Sequence, residues 1–168
     1  MVGSAEEEPL GVLVLPGRLE DIALEAHARD LLAIPRVVAL EPPRVRLPRF
    51  LRGAGSPRQA GRLRFPGRVR LLVLYHPAQY PLARALIARY DGLELWYVPP
   101  GREDLEAAGD RGLLEFDELA RERARQVLAV TETGVDEAAL RERLRELGVI
   151  SPYAFIPRVP PRRRTSHP

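Results

Sequence analysis

RVRLLVLYHPAQYPLARALIARYDGLELWYVPP, residues 68–100, decides how the chain is read. Leu71 to Leu74 is an unbroken apolar run, short enough for a strand buried on both faces. Ala83, Leu86, Ile87 and Tyr90 recur at i, i+3, i+4 and i+7, the spacing of one helical face. Leu93 to Val98 is a second apolar run, rich in aromatics. Strand, helix and strand within about thirty residues form the βαβ unit of a parallel sheet. His76-Pro77-Ala78-Gln79-Tyr80 is then a polar loop at the carboxyl end of the first strand, where open α/β sheets hold their ligands.

The same alternation extends in both directions. Residues 1–9 read as a disordered lead-in, and Leu10 to Leu15 as a first strand stopped by Pro16-Gly17. A helix is expected from Leu19 to Leu32, with Leu19, Ile22, Ala23 and Ala26 on one face and Pro35 ending it. Arg36 to Leu40 is a second strand, closed by Glu41-Pro42-Pro43. Residues 44–67 are rich in Arg, Pro and Gly without a sustained period, and read as a long loop with a short strand at 61–65. Two readings of that loop stay open, a plain disordered excursion and a segment that grips an anion or acceptor.

Beyond Pro99-Pro100-Gly101, residues 103–110 form a polar connector or short helix. Leu113, Phe116, Ala120, Ala124 and Val127 then mark an amphipathic helix, and Val127 to Val130 a strand. Thr133 with Asp136 resembles a capping box before a helix that turns Leu140, Leu144 and Leu147 inward. Gly148 supplies its left-handed stop, and Tyr153 to Ile156 a last strand. The expected fold is therefore α/β: a single doubly wound, Rossmann-like domain over residues 10–157, mainly parallel, followed by a Pro/Arg-rich tail at 158–168.

Composition narrows the chemistry. A chain of 168 residues buries a real core in one domain. The absence of cysteine excludes disulfide frameworks, thiolate metal sites and cysteine nucleophiles. All 26 basic residues are arginine, which excludes a Schiff-base or phosphate-loop lysine; codon bias explains this more simply than a demand for guanidinium. The formal charge of +3 is small and the last eleven residues carry Arg158, Arg162, Arg163 and Arg164, so the body offers no basic face for nucleic acid. No run reaches the roughly 18 apolar residues of a membrane span, and the acidic amino terminus does not resemble a signal peptide, so a cytoplasmic location is expected.

Several side chains could carry function, each with a plain structural alternative. His76, at a strand end, suits a base or an acceptor-binding group, or is simply a loop histidine beside Pro77. Gly17 and Arg18 could meet a phosphate at a helix amino terminus, or form an ordinary turn. Thr131, Glu132 and Thr133 could hydrogen-bond sugar hydroxyls, and Gln79 and Tyr80 share the loop with His76. Tyr80 and Trp96 could stack on a ligand, although Trp96 alternates like a core residue. His27 and His167 read as inert, and three scattered histidines make no metal site. Arg162, Arg163 and Arg164 could touch an anionic membrane, at about 1 kcal/mol each, or end the chain in solvent.

Several of these stretches, in order, resemble the amino-terminal, acceptor-side domain of GT-B-fold glycosyltransferases of the large retaining bacterial family. The parallels are the strand closed by an acidic residue and two prolines (VVALEPP), the strand–loop–helix LVLYHPAQYPLARAL, and the aromatic strand Leu95-Trp96-Tyr97. LLEFDELARERARQVLAVTETG, EAALRERL and the closing Tyr153 to Pro157 follow. The chain departs from the family in having one glycine, Gly17, in its first loop, and no donor-binding second domain. The resemblance implies an acceptor-side domain, inactive in sugar transfer alone, that is either a truncated enzyme or one subunit of a split enzyme completed by a donor-domain partner. It also implies a sugar or lipid-linked acceptor, a nucleotide-sugar donor held only with that second domain and none on this chain, and work at the inner membrane face. A non-catalytic binding or regulatory module on the same fold is the rival. A dinucleotide enzyme is disfavoured by the missing glycine fingerprint.

Overall fold

The computed structural model describes residues 7–16, 19, 21–40 and 56–151. Its elements run β1 (Pro9–Val14), α1 (Ile22–Leu32), β2 (Val37–Leu40), α2 (Ser56–Arg62), β3 (Arg68–Leu74), α3 (Tyr80–Arg89), β4 (Glu94–Tyr97), α4 (Arg102–Ala107), α5 (Arg111–Arg123), β5 (Gln126–Val127), β6 (Val130–Thr131), β7 (Gly134–Val135) and α6 (Ala138–Glu146). A 3-10 turn, Pro77–Gln79, joins β3 to α3. β1 to β5 form a sheet in the order β2-β1-β3-β4-β5 with every pairing parallel. β6 and β7 form a separate antiparallel hairpin. This is the doubly wound α/β fold expected from the alternation, in the strand order 2-1-3-4-5.

Strand periodicity sorts the core into two layers. Val12, Val14, Leu72, Leu74, Leu95 and Tyr97 face α3 and α5, through Tyr80, Leu82, Ala83, Leu86 and Ala120. Leu13, Leu15, Leu71, Val73, Tyr75, Trp96 and Val98 face α1 and α6, through Leu24, Ala28, Leu31, Leu140 and Leu144. Trp96 is a core residue, 2% exposed. Tyr97 donates from its hydroxyl to Asp117 at 2.7 Å, and Arg121 holds the other oxygen of that carboxylate at 2.8 Å. The charge buried at this layer edge is thereby hydrogen-bonded and paired.

Four expectations are corrected. α1 begins at Ile22, capped by Asp21, and turns Leu24, His27, Ala28 and Leu31 inward; Ile22 is 84% exposed and Ala26 is also exposed. Residues 56–62 are helical where 61–65 was expected to be a strand. Arg89 of α3 donates to the carbonyls of Ala60 and Leu63, groups that the end of α2 leaves without helical partners. The expected strand 127–130 is split, because the β5 ladder stops at Val127 and the chain turns into the hairpin. Thr133 caps no helix: its hydroxyl meets that of Thr131 at 3.0 Å, and Asp136 accepts from the Ala138 amide instead. The expected strand at 153–156, the Glu41-Pro42-Pro43 closure and the arginine tail lie outside the described residues.

α6 ends as its sequence implies. Gly148 has φ of 76°, its amide donates to Arg145 and that of Val149 to Leu144. Those two bonds, with Leu144 and Val149 both in the core, make a Schellman stop. Gly11 lies beneath it, and a Cβ there would come within 3.3 Å of Leu144, so the missing side chain lets α6 lie against β1. The other anchor of α6 is ionic. Arg143 reaches Glu94 on β4 through Nε at 3.0 and 3.1 Å and also through its Nη2, while Arg125 approaches the same carboxylate at 3.4 Å.

Two outcomes follow from this packing. At Gly67 a Cβ would lie 2.3 Å from the carbonyl oxygen of Glu8, which accepts the Arg68 amide at 2.9 Å. Gly67→Ala is expected to lower unfolding free energy by about 1–3 kcal/mol in urea titrations, because backbone must move. The second concerns Glu94, whose bond to Arg143 holds its carboxyl below the ordinary range despite partial burial. A depressed carboxylate stabilises the fold above its unfolded-state pKa, and that contribution disappears as pH falls through the folded-state pKa. Glu94→Gln should therefore melt below the parent protein at pH 7, and the gap in Tm should close on acidification.

Candidate functional site

The carboxyl edge of the sheet has a crevice where the winding reverses. β1 leads to α1 on one face and β3 leads to α3 on the other, so the chain diverges above the β1–β3 seam. A cavity of about 620 Å³ opens there. Its walls come from three strand ends: Pro16 after β1, Tyr75 and His76 after β3, and Pro99, Pro100 and Gly101 after β4. Leu19, Asp21 and Leu24 close it from the start of α1, with Asp104 and Ala107 from α4, and Val130 from the hairpin. A second cavity, of about 590 Å³, lies between α2 and α3 on the outer surface and includes Arg84 and Arg89.

The polar groups of the crevice are few and already oriented. Asp21 caps α1, accepting from the amides of Ala23 at 2.7 Å and Leu24 at 3.3 Å through one oxygen. Asp104 brings a second, exposed carboxylate. His76 caps the 3-10 turn: its Nδ1 accepts from the Ala78 amide at 3.2 Å. That bond makes Nε2 the N–H donor of the neutral ring. Burial holds the His76 pKa below the ordinary histidine value, so the ring is neutral at pH 7. The described lining thus combines two carboxylates, one imidazole donor and an apolar wall of prolines, leucines and a tyrosine ring, with no arginine.

The other predicted site residues are dispersed. Gln79 is buried and donates from Nε2 to the Leu15 carbonyl at 2.5 Å, tying the 3-10 turn to the end of β1. It shapes the rim of the crevice and does not line it. Tyr80 is buried against Phe116 in the α3–α5 layer, with ring centres 6.3 Å apart. Thr131, Glu132 and Thr133 form the exposed tip of the hairpin, where Thr131 donates to the Gly134 carbonyl at 2.9 Å. Gly17, Arg18 and the arginines 162–164 lie outside the described residues.

Sequence reading passed over Asp21, Tyr75 and Asp104, which the crevice brings together. The available signals were an aspartate just before a helical apolar period, and the repetition of a Pro-Pro pair after a strand. His27, expected to be inert, is buried between α1 and the start of α6. It is 4% exposed, its Nδ1 lies 2.6 Å from Glu137, and its ring stands 5.7 Å from that of Tyr75. Among the described residues no group of acids and histidines could hold a metal ion, and no helix is long and apolar enough to cross a membrane.

Set beside known proteins, the chain matches no family model, no curated protein and no solved structure. The cap is the first point to test. His76→Ala leaves the Ala78 amide without its acceptor and should cost about 1 kcal/mol in chemical denaturation, whereas His76→Asn should recover most of that loss.

Proposed function

We propose that the crevice binds an uncharged, hydroxyl-bearing ligand, in the manner of the acceptor-side half of a glycosyltransferase. The observation behind this reading is the pairing of two carboxylate acceptors with one fixed imidazole donor in a largely apolar cleft. Hydroxyl groups satisfy both kinds of partner, and the carbon face of a sugar ring suits a wall of proline and tyrosine. In this reading sugar transfer needs a donor-domain partner that supplies the nucleotide-sugar and closes the cleft. A sugar or lipid-linked acceptor, with work at a membrane face, belongs to the same proposal.

A non-catalytic binding module is the second reading, and one observation favours it. Asp21 and His76 both use a lone pair on backbone amides, so each is committed to holding the fold as well as lining the crevice. Such groups bind well and make poor bases.

Chemical-shift mapping on the full chain tests the ligand class. Neutral mono- and disaccharides are expected to shift the amides around Asp21, His76 and Gly101, and Asp104→Asn should weaken that binding about tenfold, or 1.4 kcal/mol. Tight binding of NAD or a nucleoside diphosphate at these amides, with none by the saccharides, would overturn the proposal.

A further inference from the structure

Between α1 and α6 lies a partly buried polar contact that the crevice chemistry does not use. His27 on α1 and Glu137 at the start of α6 are 110 residues apart and meet at 2.6 Å. A carboxylate only accepts, so Nδ1 of His27 carries the hydrogen and Nε2 of the neutral ring is a bare lone pair. That Nε2 is buried and has no hydrogen-bond partner. The hydroxyl of Tyr75 is likewise buried and unpartnered, on a residue that lines the crevice and is 2% exposed. Arg141 donates to the second oxygen of Glu137 at 2.8 Å.

We infer that the His27–Glu137 contact is a pH-sensitive latch that fastens the first turn of α6 and the β6–β7 hairpin to α1, beside the tyrosine that floors the crevice. This inference rests on the fold and is independent of the ligand proposed above. The charges facing His27 decide its sign. Its own helix brings Asp30, the end of β3 leads to the uncharged Tyr75, and α6 with its cap brings Arg141 and Glu137. Glu137 is already paired with Arg141, so a proton on His27 leaves these three groups with a net positive charge around a ring that is itself only 4% exposed. It also turns Nε2 into a buried donor without an acceptor. Burial outweighs the attraction of Glu137 and holds the His27 pKa below 6.5. The released ring binds a proton at its ordinary pKa, so falling pH favours the open latch.

Apart from the latch, the segment is held by Leu140 in the core and by Val130 and Val135, which are only partly buried. Glu137 occupies the cap position of α6 but makes no side-chain bond to the helix amides, since its oxygens are taken by His27 and Arg141. The hairpin that precedes it has two residues in each strand. Such segments open locally at low free-energy cost.

Amide hydrogen exchange of the full chain, corrected for intrinsic rates, tests the latch. Protection over residues 134–141 is expected to fall several-fold between pH 7.5 and pH 5.5, while that of β3 stays constant. His27→Gln keeps a donor for Glu137 and cannot titrate, so its protection should be equal at the two pH values. A pH-independent profile in the parent protein, or a pH response that survives in His27→Gln, would overturn the inference. If His27→Gln fails to fold, the NMR titration of the His27 ring in the parent protein decides. A pKa below 6.5, with coincident shifts in the first turn of α6, is expected; a pKa at or above 6.5 sinks the latch.

Discussion

The parallel pairing of β1 with β3 is the constraint on which the other elements depend. Over their carboxyl halves neither strand has a polar side: Val12 and Val14 face one layer, Leu13 the other, and Leu71 to Leu74 divide in the same way. A strand buried on both faces is stable only between two strands and beneath two layers of helix. The pairing therefore demands α1 and α6 on one side and α3 and α5 on the other. It is also where the winding reverses, so the requirement that buries the core opens the crevice above the seam. The register has one irregularity, between Leu10 and Gly11, and its lower end depends on Gly67 having no Cβ. Backbone approach at one end of the seam and a ligand-sized gap at the other are thus consequences of one pairing.

The sheet edges show how the covalent sequence limits that pattern. β5 pairs with Trp96 and Tyr97, and Leu128 donates to the Tyr97 carbonyl at 2.8 Å. Two residues further on, β4 meets Pro99 and Pro100, which have no N–H to continue a ladder. An apolar run at 127–130 can therefore pair only at its start, and the remaining residues fold into a hairpin of their own.

The parts of the fold legible from sequence were those governed by local apolar period. Residues 68–100 read correctly because their strands and helix bury apolar faces against their own neighbours. α1 was misread for the opposite reason. Its inward face includes His27, which an apolar period leaves out, and the partner that makes burial of His27 tolerable is Glu137, far along the chain. α2 was hidden in a Gly/Pro/Arg composition, and its order comes from a neighbouring helix through Arg89. The crevice was legible in position and not in membership. A strand's carboxyl end can be inferred from one βαβ unit, but Asp21, Tyr75 and Asp104 share a cavity only because three strand ends lie side by side.

Among the described residues, charge separates the lining of this crevice from a phosphate site on the same fold. In doubly wound proteins that bind phosphates, the first-turn amides of a helix at the switch point stay open to the anion. Here Asp21 already accepts from two of those amides on α1, so the chain's own carboxylate compensates the positive end of the helix. A phosphate placed there would displace that cap and face a like charge. At about 4 Å the repulsion alone is roughly 1 kcal/mol in water and about 4 kcal/mol near a protein surface. At 1.4 kcal/mol per tenfold in affinity, that is a penalty of about fivefold to several hundredfold before any lost hydrogen bond is counted. His76 offers no opposing charge, because burial keeps its ring neutral at pH 7. Under the proposed function, an uncharged hydroxyl-bearing ligand carries none of this penalty, and the crevice selects by charge before it selects by shape.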